Sequence, residues 1–140
     1  MNDDPSGVLH ALMPLALTLG FSVERWDANR VEIGVAWRPE LCTAGGSLHG
    51  GVLMALADSA GAACAYLNLP AGAGTTTVES KTNFLRAVRG GRAVAAATPL
   101  HIGRSVIVVE TEVHDGDGRL AAKVTQSQMV LQEPQGRDRR

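Results

Sequence analysis

Residues 49–67 read HGGVLMALADSAGAACAYL. The run has no proline, is dominated by Ala and Leu, and carries one formal charge at Asp58, the only charged side chain between Glu40 and Glu79. Its length and composition predict one long helix from His49 to about Leu67. A helix this apolar cannot lie on the outside of a domain. It needs a covering layer, and Ala55, Ala57, Ser59, Ala60, Gly61, Ala62, Ala63 and Ala65 are small enough to let that layer approach on every side. The run is also long enough to suggest a membrane span. Asp58 near its middle, and the excess of Ala and Gly over Leu, Ile and Phe, argue instead for a soluble protein.

The covering layer is predicted from the flanks. Upstream, Asp4-Pro5 offers an N-cap and first helical position for a short helix over Gly7–Thr18, kinked or split at Pro14 and stopped by Gly20. Two strands follow, Phe21–Asp27 and Arg30–Trp37, around Ala28-Asn29. Residues 38–48 read as a loop. Downstream, Pro70–Gly74 breaks the long helix, and four strands are expected: Thr75–Leu85, Arg92–Ile102, Ser105–His114 and Leu120–Leu131. Gly90-Gly91 and the DGDG turn at 115–118 punctuate them, and Pro99 implies an edge or a bulge. Short turns suggest an antiparallel meander. The fold class is α+β, a curled antiparallel sheet wrapped around one long central helix. A single domain over residues 1–131, with a disordered tail at 132–140, is the expected organisation.

Composition narrows the function. Thirteen basic side chains face fourteen acidic ones, a formal net charge of −1, so nothing calls for nucleic acid or an anionic membrane as a partner. Cys42 and Cys64 have no metal-ligand spacing and no disulfide framework, which fits a reducing cytoplasm. The opening MNDDPSG is acidic where a secretory leader would be basic. No cofactor motif, P-loop, nucleophile elbow or metal site is readable.

Two features of the long run point to chemistry. His49-Gly50-Gly51 opens the helix, where the first amides lack intrahelical partners and carry the positive end of the dipole. Such amides can hold a carbonyl oxygen as it becomes an oxyanion. Asp58 lies about 12 Å further along the axis at 1.5 Å per residue, too far for both groups to act on one carbonyl from a single chain. If Asp58 is catalytic, two antiparallel copies of the helix must build the site, and the protein is a homodimer with two composite sites. A buried carboxylate satisfied by a neighbouring hydroxyl or amide is the structural alternative.

HGG with Asp58 nine residues after His49, then TTTVESKTNFLRAVRGG (75–91) and HIGRSVIVVETEVHDGDGRLAAKVTQSQMVL (101–131), resembles the hotdog-fold acyl-CoA thioesterases, with the phenylacetate-degradation branch the nearest. The resemblance implies hydrolysis of aryl- or medium-chain acyl-CoA to the free acid and CoA, with no separate cofactor. It implies that the Gly50 amide polarises the thioester carbonyl, that Asp58 of the partner subunit is nucleophile or general base, and that His49 positions the thioester. Thr77 would hold the attacking water. CoA phosphates would meet Arg86 and Arg104. Gly51, Leu53, Met54, Ala57, Ala62 and Phe84 would line the acyl site, and a tetramer of paired dimers is suggested. Many relatives carry Asn six residues before the His, where this chain has Thr43, a shorter group with one hydroxyl. A non-catalytic acyl-CoA binder and a hotdog hydratase or dehydratase pairing Asp58 with His49 are the alternatives.

Overall fold

The structure, a computed structural model, describes residues 4–132; the expected tail at 132–140 lies, all but Gln132, outside the described residues. Helix α1 (Pro5–Leu12) is capped by Asp4, whose side chain accepts from the Ser6 amide, and a break at Met13 separates it from α2 (Pro14–Leu19). Pro14 therefore splits the helix, because it supplies no N–H to continue the ladder. Gly20, at φ 77°, ends α2 in the left-handed conformation. Strands β1 (Ser22–Asp27) and β2 (Arg30–Ala36) form a hairpin, a 3-10 turn spans Pro39–Leu41, and α3 runs Gly50–Leu67. Strands β3 (Gly74–Phe84), β4 (Arg92–Ile102), β5 (Val106–Asp115) and β6 (Leu120–Leu131) complete the chain.

All strand pairs are antiparallel, in the order β1-β2-β4-β5-β6-β3. Helix α3 packs against β2, β3, β4, β5 and β6. A flat sheet of strands about 4.8 Å apart would be too wide for one helix to touch so many, so the sheet curls around it. Alternation along the strands supplies the lining, with Val31, Ile33 and Val35 on β2, Ala93, Ala95 and Ala97 on β4, and Ile107, Val109 and Val113 on β5 all buried. Pro99 sits where the β4–β5 register shifts, beyond the last β2 partner at Ala97. It therefore marks a bulge, and it needs no amide on its β2 side.

Two expectations are corrected. The last four strands are not a simple meander, because β3 pairs with β6 and not with β4. Residues 85–91 carry the chain from β3 across the end of the curled sheet to β4. Leu85 and Arg86 amides donate to the Ala121 carbonyl, the Val88 carbonyl accepts from Leu48, and the Gly91 carbonyl accepts from Trp37. Curling makes the crossing short enough, since seven extended residues reach about 24 Å. Nor is α3 covered on every side. Leu53, Leu56, Ala57, Ala60, Ala63 and Cys64 are buried, but Gly51, Met54, Asp58 and Tyr66 form an exposed stripe. Because β3 is a sheet edge, no further strand among the described residues lies beyond it to cover that stripe.

Candidate active site

The start of α3 is built by a loop that returns on itself. The His49 amide donates to the Leu41 carbonyl and Leu48 to Val88, which fixes the approach to the helix. His49 is the N-cap, and its Nδ1 accepts from the Gly51 amide at 2.8 Å. An accepting Nδ1 leaves the ring proton on Nε2. The Val52 and Leu53 amides both donate to the His49 carbonyl. Of the first four helical N–H groups, only that of Gly50 finds no acceptor among the described residues. The Phe84 ring lies over Gly50, since a Cβ there would stand 3.2 Å from the ring edge. A Cβ on Gly51 would come within 2.9 Å of His49 Nδ1 and push the cap aside. Both glycines leave room for close neighbours.

Asp58, two turns on, is exposed rather than buried. Its Oδ1 accepts from Thr77 Oγ1 (3.2 Å) and from Gln126 Nε2 (3.1 Å). Thr77 Oγ1 in turn accepts from Gln128 Nε2 at 2.6 Å, and Gln128 Oε1 accepts from Thr75 Oγ1 at 3.2 Å. Gln126 and Gln128 are 1% and 0% exposed. They lie between Val124 and Val130 on the inward face of β6, so two amides occupy consecutive core positions of a strand. Sequence reasoning missed both. Polar residues two apart on an otherwise apolar strand face were the signal that could have found them.

Not every expected residue joins this site. Leu53 and Ala57 point into the core, while Met54 shares the exposed stripe with Asp58. Thr43 closes its own turn: its hydroxyl lies 3.3 Å from Ser47 Oγ, its amide donates to the Ser47 carbonyl, and its carbonyl accepts from Gly46. Arg86 follows Phe84 at the Gly50 end of the sheet, whereas Arg104 sits in the β4–β5 turn at the other end. On β6 those ends are marked by Ala122, opposite Phe84, and Met129, opposite Val106, roughly 23 Å apart at 3.3 Å per residue. One chain does not bring the two arginines together. Ala62 instead lines a cleft of about 290 Å³ with Leu12, Met13, Tyr66, Thr77 and Gln128, one turn beyond Asp58. Among the described residues no cluster of His, Cys, Asp or Glu could hold a metal.

A sequence model of the thioesterase superfamily matches residues 45–122, from the loop before α3 to β6. A Saccharolobus solfataricus protein, provisionally designated an esterase, is 34% identical over 113 residues, 81% of this chain and 80% of its own length. The 1,4-dihydroxy-2-naphthoyl-CoA hydrolase of Escherichia coli K12 is 33% identical over 86 residues, 61% of this chain and 63% of that protein. The crystal structure of a Haemophilus influenzae thioesterase superposes with a TM-score of 0.86 at 24% identity, covering 92% of this chain and 91% of the other. That likeness shows the hotdog fold. The chain belongs to the thioesterase superfamily.

Proposed function

We propose that this thioesterase hydrolyses acyl-CoA thioesters with an aryl or medium-chain acyl group, in a site shared between two copies of the chain. Asp58 carries the reading: a carboxylate on the open face of an apolar helix, anchored through one oxygen by groups from β3 and β6. The thioester carbonyl oxygen accepts from the Gly50 amide, the helix-start donor without an acceptor. Such a donor is worth about 3 kcal/mol as charge develops on the oxygen. Asp58 of the partner subunit takes a proton from water as it attacks the carbonyl carbon, or attacks that carbon itself. Collapse of the tetrahedral adduct breaks the C–S bond, and the CoA thiolate leaves and takes up a proton; on the second route this leaves an acyl anhydride on Asp58, which water then hydrolyses to the free acid and the carboxylate. His49 presents its Nε2–H beside the thioester, and Thr77 orients Asp58 or the water.

The edge position of β3 supports the dimer. Gly50 lies at Phe84 and Asp58 at Thr77. Antiparallel pairing of two β3 edges centred between Ser80 and Lys81 sets Phe84 of one copy opposite Thr77 of the other. The 12 Å offset along the helix then becomes a cross-subunit juxtaposition. The same two-fold brings Arg86 of one copy to the end that holds the partner subunit's Arg104, a pair suited to CoA phosphates. The cleft of about 290 Å³ beside Asp58 suits a compact acyl group, because a cavity of about 150 Å³ holds benzene. We place the chain nearest the phenylacetate-degradation branch, read no cofactor beyond the CoA of the substrate, and assign it to a reducing cytoplasm, where Cys42 and Cys64 stay free. Pairing of dimers into a tetramer is part of the same reading.

The test is CoA release from a panel of aryl- and alkyl-acyl-CoAs. Wild type should release CoA, and Asp58→Asn should not. Gly50→Pro removes the amide hydrogen at a position where helices accept proline, and His49 at ψ 135° already has the backbone that precedes one. It should lose about 10²–10³ in kcat. Mixed dimers of Asp58→Asn and Gly50→Pro should regain activity, because one of their two sites is intact. Equal rates for Asp58→Asn and wild type would sink the reading, and a mixture no better than its parents would sink the composite site.

A further inference from the structure

Strand β6 carries two fully buried glutamines where its alternation calls for valine. Gln126 Nε2 donates to Asp58 Oδ1, yet its own Oε1 is buried and has no partner among the described residues. Helix α3 makes room for this amide: a Cβ at Gly61 would stand 2.0 Å from Gln126 Oε1. Gly in mid-helix weakens a helix relative to Ala, and an unpartnered buried carbonyl weakens the fold. Two stability costs therefore meet at one side chain whose single hydrogen bond goes to Asp58. Gln128 acts one step further back. Its Nε2 donates to Thr77 Oγ1 at 2.6 Å, so the Thr77 hydrogen is directed elsewhere, and Asp58 Oδ1 stands 3.2 Å away to receive it. Both amides thus converge on the same carboxylate oxygen, and Oδ2 is left with no partner among the described residues.

We infer that Gln126 and Gln128 are positioning residues that pin Asp58 through Oδ1, Gln126 directly and Gln128 by orienting the Thr77 hydroxyl, so that Oδ2 alone is the reacting oxygen. This rests on the reading of Asp58 as the reacting carboxylate and goes beyond it by assigning the work to one of its two oxygens. Gly61 belongs to the same device, because it is the clearance that lets Gln126 reach Asp58. A carboxylate held at one oxygen keeps its plane and its aim while the other oxygen stays free, as acyl transfer geometry requires.

Gln126→Met and Gln128→Met keep side-chain length and delete the donors. Steady-state kinetics should show kcat lower by about 10- to 100-fold with KM little changed, since misalignment acts on the reacting geometry. Gly61→Ala should lower kcat in the same way, because its Cβ would drive the Gln126 amide off Asp58. Thr77→Ser should keep the rate that Thr77→Val loses. Thermal unfolding separates position from structure: Gln126→Met should melt at or above the wild-type temperature, whereas a glutamine kept for the fold would lower it when removed. If Asp58→Asn abolishes CoA release while both Met variants keep wild-type kcat, the pinning is wrong and the catalytic carboxylate stands. If Asp58→Asn itself keeps the rate, the underlying reading fails.

Discussion

The two flanks of α3 are made on opposite terms. Toward β2 and β4 the helix meets Val31, Ile33, Ala93, Ala95 and Ala97, all fully buried, with no polar side chain among them. Toward β6 and β3 it meets Gln126, Gln128, Thr77 and Thr75, set between the buried Val124 and Val130, and β3 contributes no buried residue at all. One helix is thus gripped on one side by close-packed hydrocarbon alone and touched on the other by amides and hydroxyls set among valines. The first flank holds the helix where it is, and the second uses it to present a carboxylate. A polar network on both sides would leave the helix poorly fixed. Apolar packing on both would leave Asp58 nothing to hold it.

That contrast can be broken at its strongest point first. Asp58→Asn should cost about 10²–10⁴ in kcat while leaving the thermal midpoint nearly unmoved, because the group is exposed. A collapse of stability with the activity would mean that the polar flank is structural too. Leu56→Ala should do the reverse. Leu56 is fully buried, so denaturant unfolding should show a loss of about 2–5 kcal/mol, with turnover per folded molecule unchanged. A matching loss of turnover would show that the packed flank reaches into catalysis. The smallest effect is expected at the border between flanks. Thr111 on β5 is fully buried and its hydroxyl has no partner among the described residues. Thr111→Val should stabilise the fold by about 1 kcal/mol; destabilisation would reveal a hydrogen bond to an internal water.

Much of this architecture is legible in the chain because its punctuation is strong. Pro14, Gly20, Pro70, Gly90-Gly91 and the turn at 115–118 fall at element ends, and the element boundaries follow within a few residues. The sheet order is not legible. Nothing in residues 85–91 says that they cross the end of the sheet, since a short connection fits a hairpin and a crossing equally well once the sheet curls. The open face of α3 is not legible either. Ala and Gly at most positions hide which side is covered, and Gly51, Met54, Asp58 and Tyr66 emerge as a stripe only when the edge position of β3 is known. At the candidate site, His49, Gly50, Asp58 and Phe84 stand out as residue types out of place or closely spaced. Gln126 and Gln128 were within reach of the alternation on β6, but amides in a strand rich in Ser, Thr and Gln do not draw the eye. For Arg86 and Arg104 the local sequence suggests a cation but not which end of the sheet it occupies.

The composition of α3 also matters before the fold exists. The helix is complete at Leu67, but the strands that cover it end only at Leu131, so at about 5–20 residues per second a nascent chain carries it uncovered for roughly 3–13 s. By length and hydropathy, Gly50–Leu67 passes for a membrane span. Asp58 sits at its midpoint, where a carboxylate opposes bilayer insertion by roughly 2.5–3.5 kcal/mol. In an insertion reporter carrying residues 50–67, Asp58→Leu should raise the inserted fraction sharply, and an unchanged fraction would refute the idea. The side chain read as the reacting group of the finished protein would then also keep the unfinished one out of the bilayer.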